Sequence, residues 1–158
     1  MTRALRTEPA AFTLTLDEYE ANDPPKGDYL AFRANVVCDG FSGHTDFWVA
    51  RGDFAEFAAA LESVDRTLAG EAELVCGWGA NEHIRLRIAP FDGSGRQLAE
   101  VSLASPAGGA GEEVRQFVST RLVTLPTSVT TFRSGIQRFL DQRLIGTIQL
   151  VGDPEAMT

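Results

Sequence analysis

Apolar residues recur along one flank of two separate segments of the chain. Phe54, Phe57, Leu61, Val64 and Leu68 follow helical spacing, and Val129, Phe132, Ile136, Phe139, Leu140 and Leu144 repeat it in the second half. Each spacing gives a helix one apolar stripe that must be buried on another element. The stretches between them alternate apolar and polar residues with period two, as half-buried strands do. Phe12-Leu14-Leu16 alternate with Thr13, Thr15 and Asp17, and a strand at 29–38 carries Leu30, Phe32, Ala34, Val36 and Cys38 on one phase. A strand at 43–50 puts Thr45, Phe47 and Val49 on one face and His44, Asp46 and Trp48 on the other. Further strands are expected at 71–78, 83–89, 96–104, 114–125 and 145–151.

Turn residues punctuate this order. The segment 21–28, with Pro24, Pro25 and Gly27, cannot continue a strand, and Asp39-Gly40 and Asp92-Gly93-Ser94-Gly95 read as hairpin turns. Asp53 with Glu56 forms a capping box at the start of the first helix, and Gly70 suits its left-handed terminus. Pro126 precedes the second helix, with Thr127 or Ser128 as its cap. The expected architecture is α+β: a single antiparallel β-sheet meander with two amphipathic helices packed on one face. Any helix lying on a sheet shows such a stripe, so the likeness of the two helices is not read as an internal repeat.

Length and composition fit one domain over residues 1–158, with an ordered core at about 11–151 and frayed ends at 1–9 and 152–158. The apolar fraction of 44% and charged fraction of 23% are those of a globular chain. No apolar run is long enough for a signal peptide or a membrane span, so a cytoplasmic protein is expected. The net charge of -8 argues against a nucleic-acid partner and permits a basic protein partner, although a negative surface of this size also simply keeps a small domain soluble. Cys38 and Cys76, both on apolar strand phases, read as buried free thiols, and a bridge between neighbouring strands stays open. Neither they nor the two histidines make a metal set, and no cofactor is implied.

Catalytic candidates are sparse. His44 and Asp46 share a strand face as an oriented base would, but Ser42 lies in a turn without a nucleophile motif, and no catalytic residue is assigned. Glu82-His83 falls at a hairpin tip, where polar residues are ordinary. The glycine-rich run Gly108 to Gly111 is followed by Glu112 and Glu113, which would repel a phosphate, so it reads as a loop. Trp48 and Trp78 are candidate anchors. The polar phase of the strands gathers Arg33, Asn35, His44, Asp46, Trp48, Arg85, Arg87, Glu100 and Ser102, expected to line one uncovered sheet face. Trp48, Arg33, Arg85, Arg87, His44 and Asp46 are its candidate partner-binding residues.

With Phe47-Trp48-Val49, Asp53-Phe54, Phe57, Leu61, Leu68 and Gly70, then Leu74, Leu86, Val101, Thr131-Phe132 and Leu140, the chain resembles the WapI-type bacterial immunity proteins over roughly residues 12–144. The second helix departs from that pattern, starting with Ser128 and Thr130 where acidic residues are expected. The resemblance implies a non-enzymatic protein that neutralises a polymorphic nuclease-type toxin by binding it, with no catalytic residues to carry over. The competing reading is a small-molecule-binding protein or enzyme with a pocket at a sheet end, using His44, Asp46 or Glu82-His83.

Overall fold

A computed structural model describes residues 10–20, 28–38, 40–78, 81–104, 116–142 and 145–156. The expected loops at 21–27 and 106–113, Asp39, the side chain of Trp78 and the end at 1–9 lie outside these residues. Eight strands and two helices follow in the order β1 (Ala11–Glu20), β2 (Tyr29–Cys38), β3 (Phe41–Ala50), α1 (Arg51–Thr67), β4 (Ala72–Trp78), β5 (Asn81–Pro90), β6 (Gln97–Ala104), β7 (Phe117–Thr124), α2 (Pro126–Gln142) and β8 (Gly146–Val151).

The strands form two antiparallel sheets rather than one. The first has the order β3-β2-β1-β8, the second β4-β5-β6-β7. Alternation along a strand fixes which face is buried but not which strand lies beside it. Two sheets with apolar inner faces therefore satisfy the same pattern as one meander. Both inner faces, Phe54, Phe57, Leu61 and Val64 of α1, and Val129, Phe132, Ile136, Phe139 and Leu140 of α2 belong to one hydrophobic cluster, and Leu144 lies outside the described residues. Phe32 of β2 packs at 5.4 Å from Phe47, 5.0 Å from Phe54 of α1 and 5.8 Å from Phe139 of α2, centroid to centroid. Leu61 and Phe132 are fully buried, as their places on the stripes require. The helices also pack on each other, with Arg133 donating to Asp65 at 3.0 Å.

The pairing reveals an internal two-fold pattern. Strands β1-β2-β3, helix α1 and strand β4 have the same order as β5-β6-β7, α2 and β8, and each helix is 17 residues long. The last strand of each half leaves its own sheet: β4 pairs with β5, and β8 pairs with β1. Registers match as well. The row Gly146-Leu16-Phe32-Phe47 in the first sheet corresponds to Ala72-Ile88-Ala99-Leu122 in the second. Each half supplies the strand that completes the other sheet. The stripe likeness, set aside on sequence grounds, thus accompanies a repeated topology.

Several local expectations change. Helix α1 begins at Arg51 after an extended Ala50, with no side-chain cap, and Asp53 sits inside the first turn, where its charge suits the helix dipole. Leu68 is the left-handed cap (φ 54°), its amide bonded to the Val64 carbonyl. It is therefore exposed rather than part of the stripe. Helix α2 begins at Pro126, whose missing amide costs nothing in a first turn. The hydroxyl of Ser128 accepts a bond from the Val151 amide at 2.9 Å instead of capping the helix. Residues 152–156, expected to fray, are held: Gly152 bridges Thr124, and the Asp153 amide reaches the Val123 carbonyl at 2.6 Å.

One core position is poorly matched. Gln97 is buried at 1% exposure, and neither side-chain polar atom has a hydrogen-bond partner among the described residues. The register pairs it with Thr124 as Leu30 is paired with Val49 in the other half. An unsatisfied buried amide costs about 1–3 kcal/mol. Gln97→Leu is expected to raise the midpoint of urea unfolding with an unchanged slope; a lowered midpoint would show that the amide is satisfied.

Candidate functional site

The candidate residues divide between the two sheets. On the outer face of the first, β2 and β3 pair Arg33 with Asp46, Asn35 with His44 and Ala31 with Trp48. Arg33 grips Asp46 through two bonds, 2.9 Å from Nε to Oδ1 and 3.4 Å from Nη2 to Oδ2. Trp48 stands opposite the small Ala31 and is half exposed. An exposed ion pair of this kind adds little to stability, but it fixes a charged pattern beside the ring.

Arg85 and Arg87 lie on the second sheet instead. Arg85 bonds Glu82 at 2.6 Å and approaches Glu73 at 3.5 Å; Arg87 bonds Glu71 at 2.5 Å and Glu100 at 2.9 Å. Arg121 extends the row, 3.9 Å from Glu100. The hydrogen bond from Arg85 holds Glu82 below the usual carboxylate range. The expectation that Arg33, His44, Asp46, Trp48, Arg85 and Arg87 share one face is thus corrected. It rested on a single sheet, and the crossover through α1 carries the later strands into the other. Glu82 and His83 also part company: a bulge between Cys76 and Gly77 leaves Glu82 exposed and turns His83 into the buried set.

A third region was not legible as a site. Phe41, at the start of β3, is 76% exposed, and Phe117, at the start of β7, is 68% exposed. Both line one groove of about 440 Å³ together with Val36, Cys38 and Val118. The edge strands β3 and β7 meet here. A Cβ on Gly43 would fall 2.5 Å from Cγ2 of Val118, so only glycine lets the strands approach so closely. Thr45 ties the junction by donating to the Ala104 carbonyl at 2.8 Å. Phe41 lies on the inward phase of β3, two residues before the expected start of that strand at 43. Its position directly after the Asp39-Gly40 turn was the available signal, since the inward phase there runs past the end of the sheet. Ser42 and His44 line a smaller adjoining cleft of about 210 Å³ with Gln116 and Phe117.

Both cysteines are free. Burial pushes the Cys76 thiol up to about 12, whereas Cys38 is half-buried beside the groove. Only the thiolate reacts, so the thiols differ in rate. Native labelling with a maleimide is expected to modify Cys38 first and to leave Cys76 until the protein unfolds. Equal rates would contradict the burial of Cys76.

Among the described residues no three His, Cys, Asp or Glu side chains cluster as a metal site, and no helix is long and apolar enough to cross a membrane. No family model, curated protein or solved structure matches the chain.

Proposed function

We propose that the protein is a protein-binding module without catalytic activity, whose partner covers the groove between Phe41 and Phe117. The observation that carries this reading is the pair of phenylalanines, both more than two-thirds exposed, on either side of one apolar groove. Exposed aromatics around a concave apolar patch are the residues that dominate binding energy when a partner desolvates them. His44 and the Arg33–Asp46 pair continue from the groove along β3 and its neighbour β2 and supply a polar rim, with Trp48 at the far end of the strand. Arg85 and Arg87 are outside this interface, engaged with glutamates on the other sheet.

The net charge of -8 selects a basic partner, which it would steer during association. The resemblance to WapI-type immunity proteins supports a nuclease-type toxin domain as that partner. The competing reading, a small-molecule site using His44, has less support. Its cleft of about 210 Å³ is smaller than the roughly 300–1,000 Å³ typical of ligand pockets, and Asp46 is engaged by Arg33.

Binding to a basic nuclease-type toxin domain, which this reading expects to be encoded beside the chain, tests the proposal. Phe41→Ser with Phe117→Ser is expected to weaken binding by about thirtyfold or more, the loss of one strong hot spot, with an unchanged melting temperature. Wild-type affinity in the double variant would place the interface elsewhere. Failure of the wild type to bind would remove the immunity reading.

A further inference from the structure

Strand β8 ends the first sheet, and its outer edge faces a groove of about 520 Å³ along the flank of α2. The direction of its backbone groups follows from two bonds. The Gly152 amide donates inward to the carbonyl of Ala10, the residue before β1, whereas the Val151 amide donates outward to Ser128. Both backbone groups of a residue in an antiparallel strand point the same way and alternate along the strand. Thr147 and Gln149 therefore aim an amide and a carbonyl each away from β1, into the groove they line. No hydrogen bond among the described residues reaches those four groups.

The groove has an ionic end. Arg138 lines it, is exposed, and has no acidic partner among the described residues, unlike the paired arginines on the two sheet faces. It is the one charged residue in the lining. Helix α2 and β8 run in opposite directions, so Arg138 lies toward the Thr147 end, while Ser128 already satisfies the edge at the Val151 end. The corresponding position of α1 is Ser63, so the internal two-fold pattern does not reproduce this charge.

We propose that this groove binds an extended peptide segment of a partner protein as an added strand, with a carboxylate of that segment seated on Arg138. An added strand satisfies the outward groups of Thr147 and Gln149, and a guanidinium takes a carboxylate through two parallel bonds. The edge from Thr147 to Val151 accommodates about five residues at the rise of a strand. The site is independent of the groove at Phe41 and Phe117.

The probe is a set of acetylated hexapeptides alternating threonine and valine, with a single glutamate at each position in turn, titrated into the isotope-labelled full chain. At least one peptide is expected to shift the Thr147 and Gln149 amide resonances. The Arg138→Glu variant is expected to bind that peptide about tenfold more weakly and to prefer its lysine counterpart. Gln149→Pro, which removes one outward amide at an edge where proline is tolerated, is expected to reduce binding too. The Phe41→Ser, Phe117→Ser variant should bind the peptides as the wild type does. Absence of shifts at millimolar peptide, shifts confined to other residues, or affinity indifferent to Arg138→Glu would each overturn the proposal.

Discussion

Phe32→Ala is expected to destabilise the protein by roughly 3–5 kcal/mol, as truncation of a buried phenylalanine does. Phe32 is 1% exposed and touches Phe47 in its own sheet, Phe54 in α1 and Phe139 in α2. The cavity would open where both helices meet the first sheet, and surrounding rings are too rigid to fill it. Against a typical total stability of about 5–15 kcal/mol, such a loss leaves a marginal fold. Urea unfolding followed by circular dichroism measures it. A cost below that of an ordinary surface substitution would mean that the helices are not anchored on this ring. The matching position in the second sheet is Ala99, so the equivalent contact there was never aromatic.

Gly135→Ala sets two effects against each other. Alanine in a helix interior is favoured over glycine by about 1 kcal/mol. At this position, however, the new Cβ would lie 2.2 Å from Cγ2 and 3.1 Å from Cβ of Ile148 on β8, a branched side chain that is itself buried. Overpacking of this kind costs about 1–3 kcal/mol, so the net expectation is destabilisation. Ile148→Ala alone should also destabilise, and the double variant should cost less than the two single changes added together. Additive losses would show that α2 does not press on β8 at Gly135. The corresponding residue of α1 is Ala60, packed against the core without such a constraint.

The elements themselves were readable because each carries its own period. Ile84, Leu86 and Ile88 against His83, Arg85 and Arg87 define β5 from local order alone, and all three apolar residues are fully buried. What could not be read was which strand stands beside which. Pairing of β8 with β1 joins the two ends of the chain, and nothing in the residues of either strand names the other. A second such fact, that β4 after α1 pairs with β5 and not with β3, divides the expected sheet in two and sends Arg85 and Arg87 away from Arg33 and Trp48. The cap expected at Ser128 failed for a non-local reason: its hydroxyl is taken by the Val151 amide, a partner that sequence neighbours do not reveal. Of the two exposed phenylalanines, Phe117 stands on the outward phase of β7 with Ser119 and Arg121, and Phe41 was hidden by the same rule that located the core. Phe41 obeys the inward phase of β3 at its first position, where it stands 76% exposed.

The account centres on a partner covering the junction of β3 and β7. Hydrogen exchange of the full chain, compared with and without the proposed partner, a basic nuclease-type toxin domain, reads that interface without altering a residue. Protection is expected at Val36 to His44 and at Phe117 to Thr120, with the outer face of the second sheet around Arg85 and Arg87 unchanged. Protection centred on that second sheet, with exchange at Phe41 and Phe117 unaffected, would contradict the account.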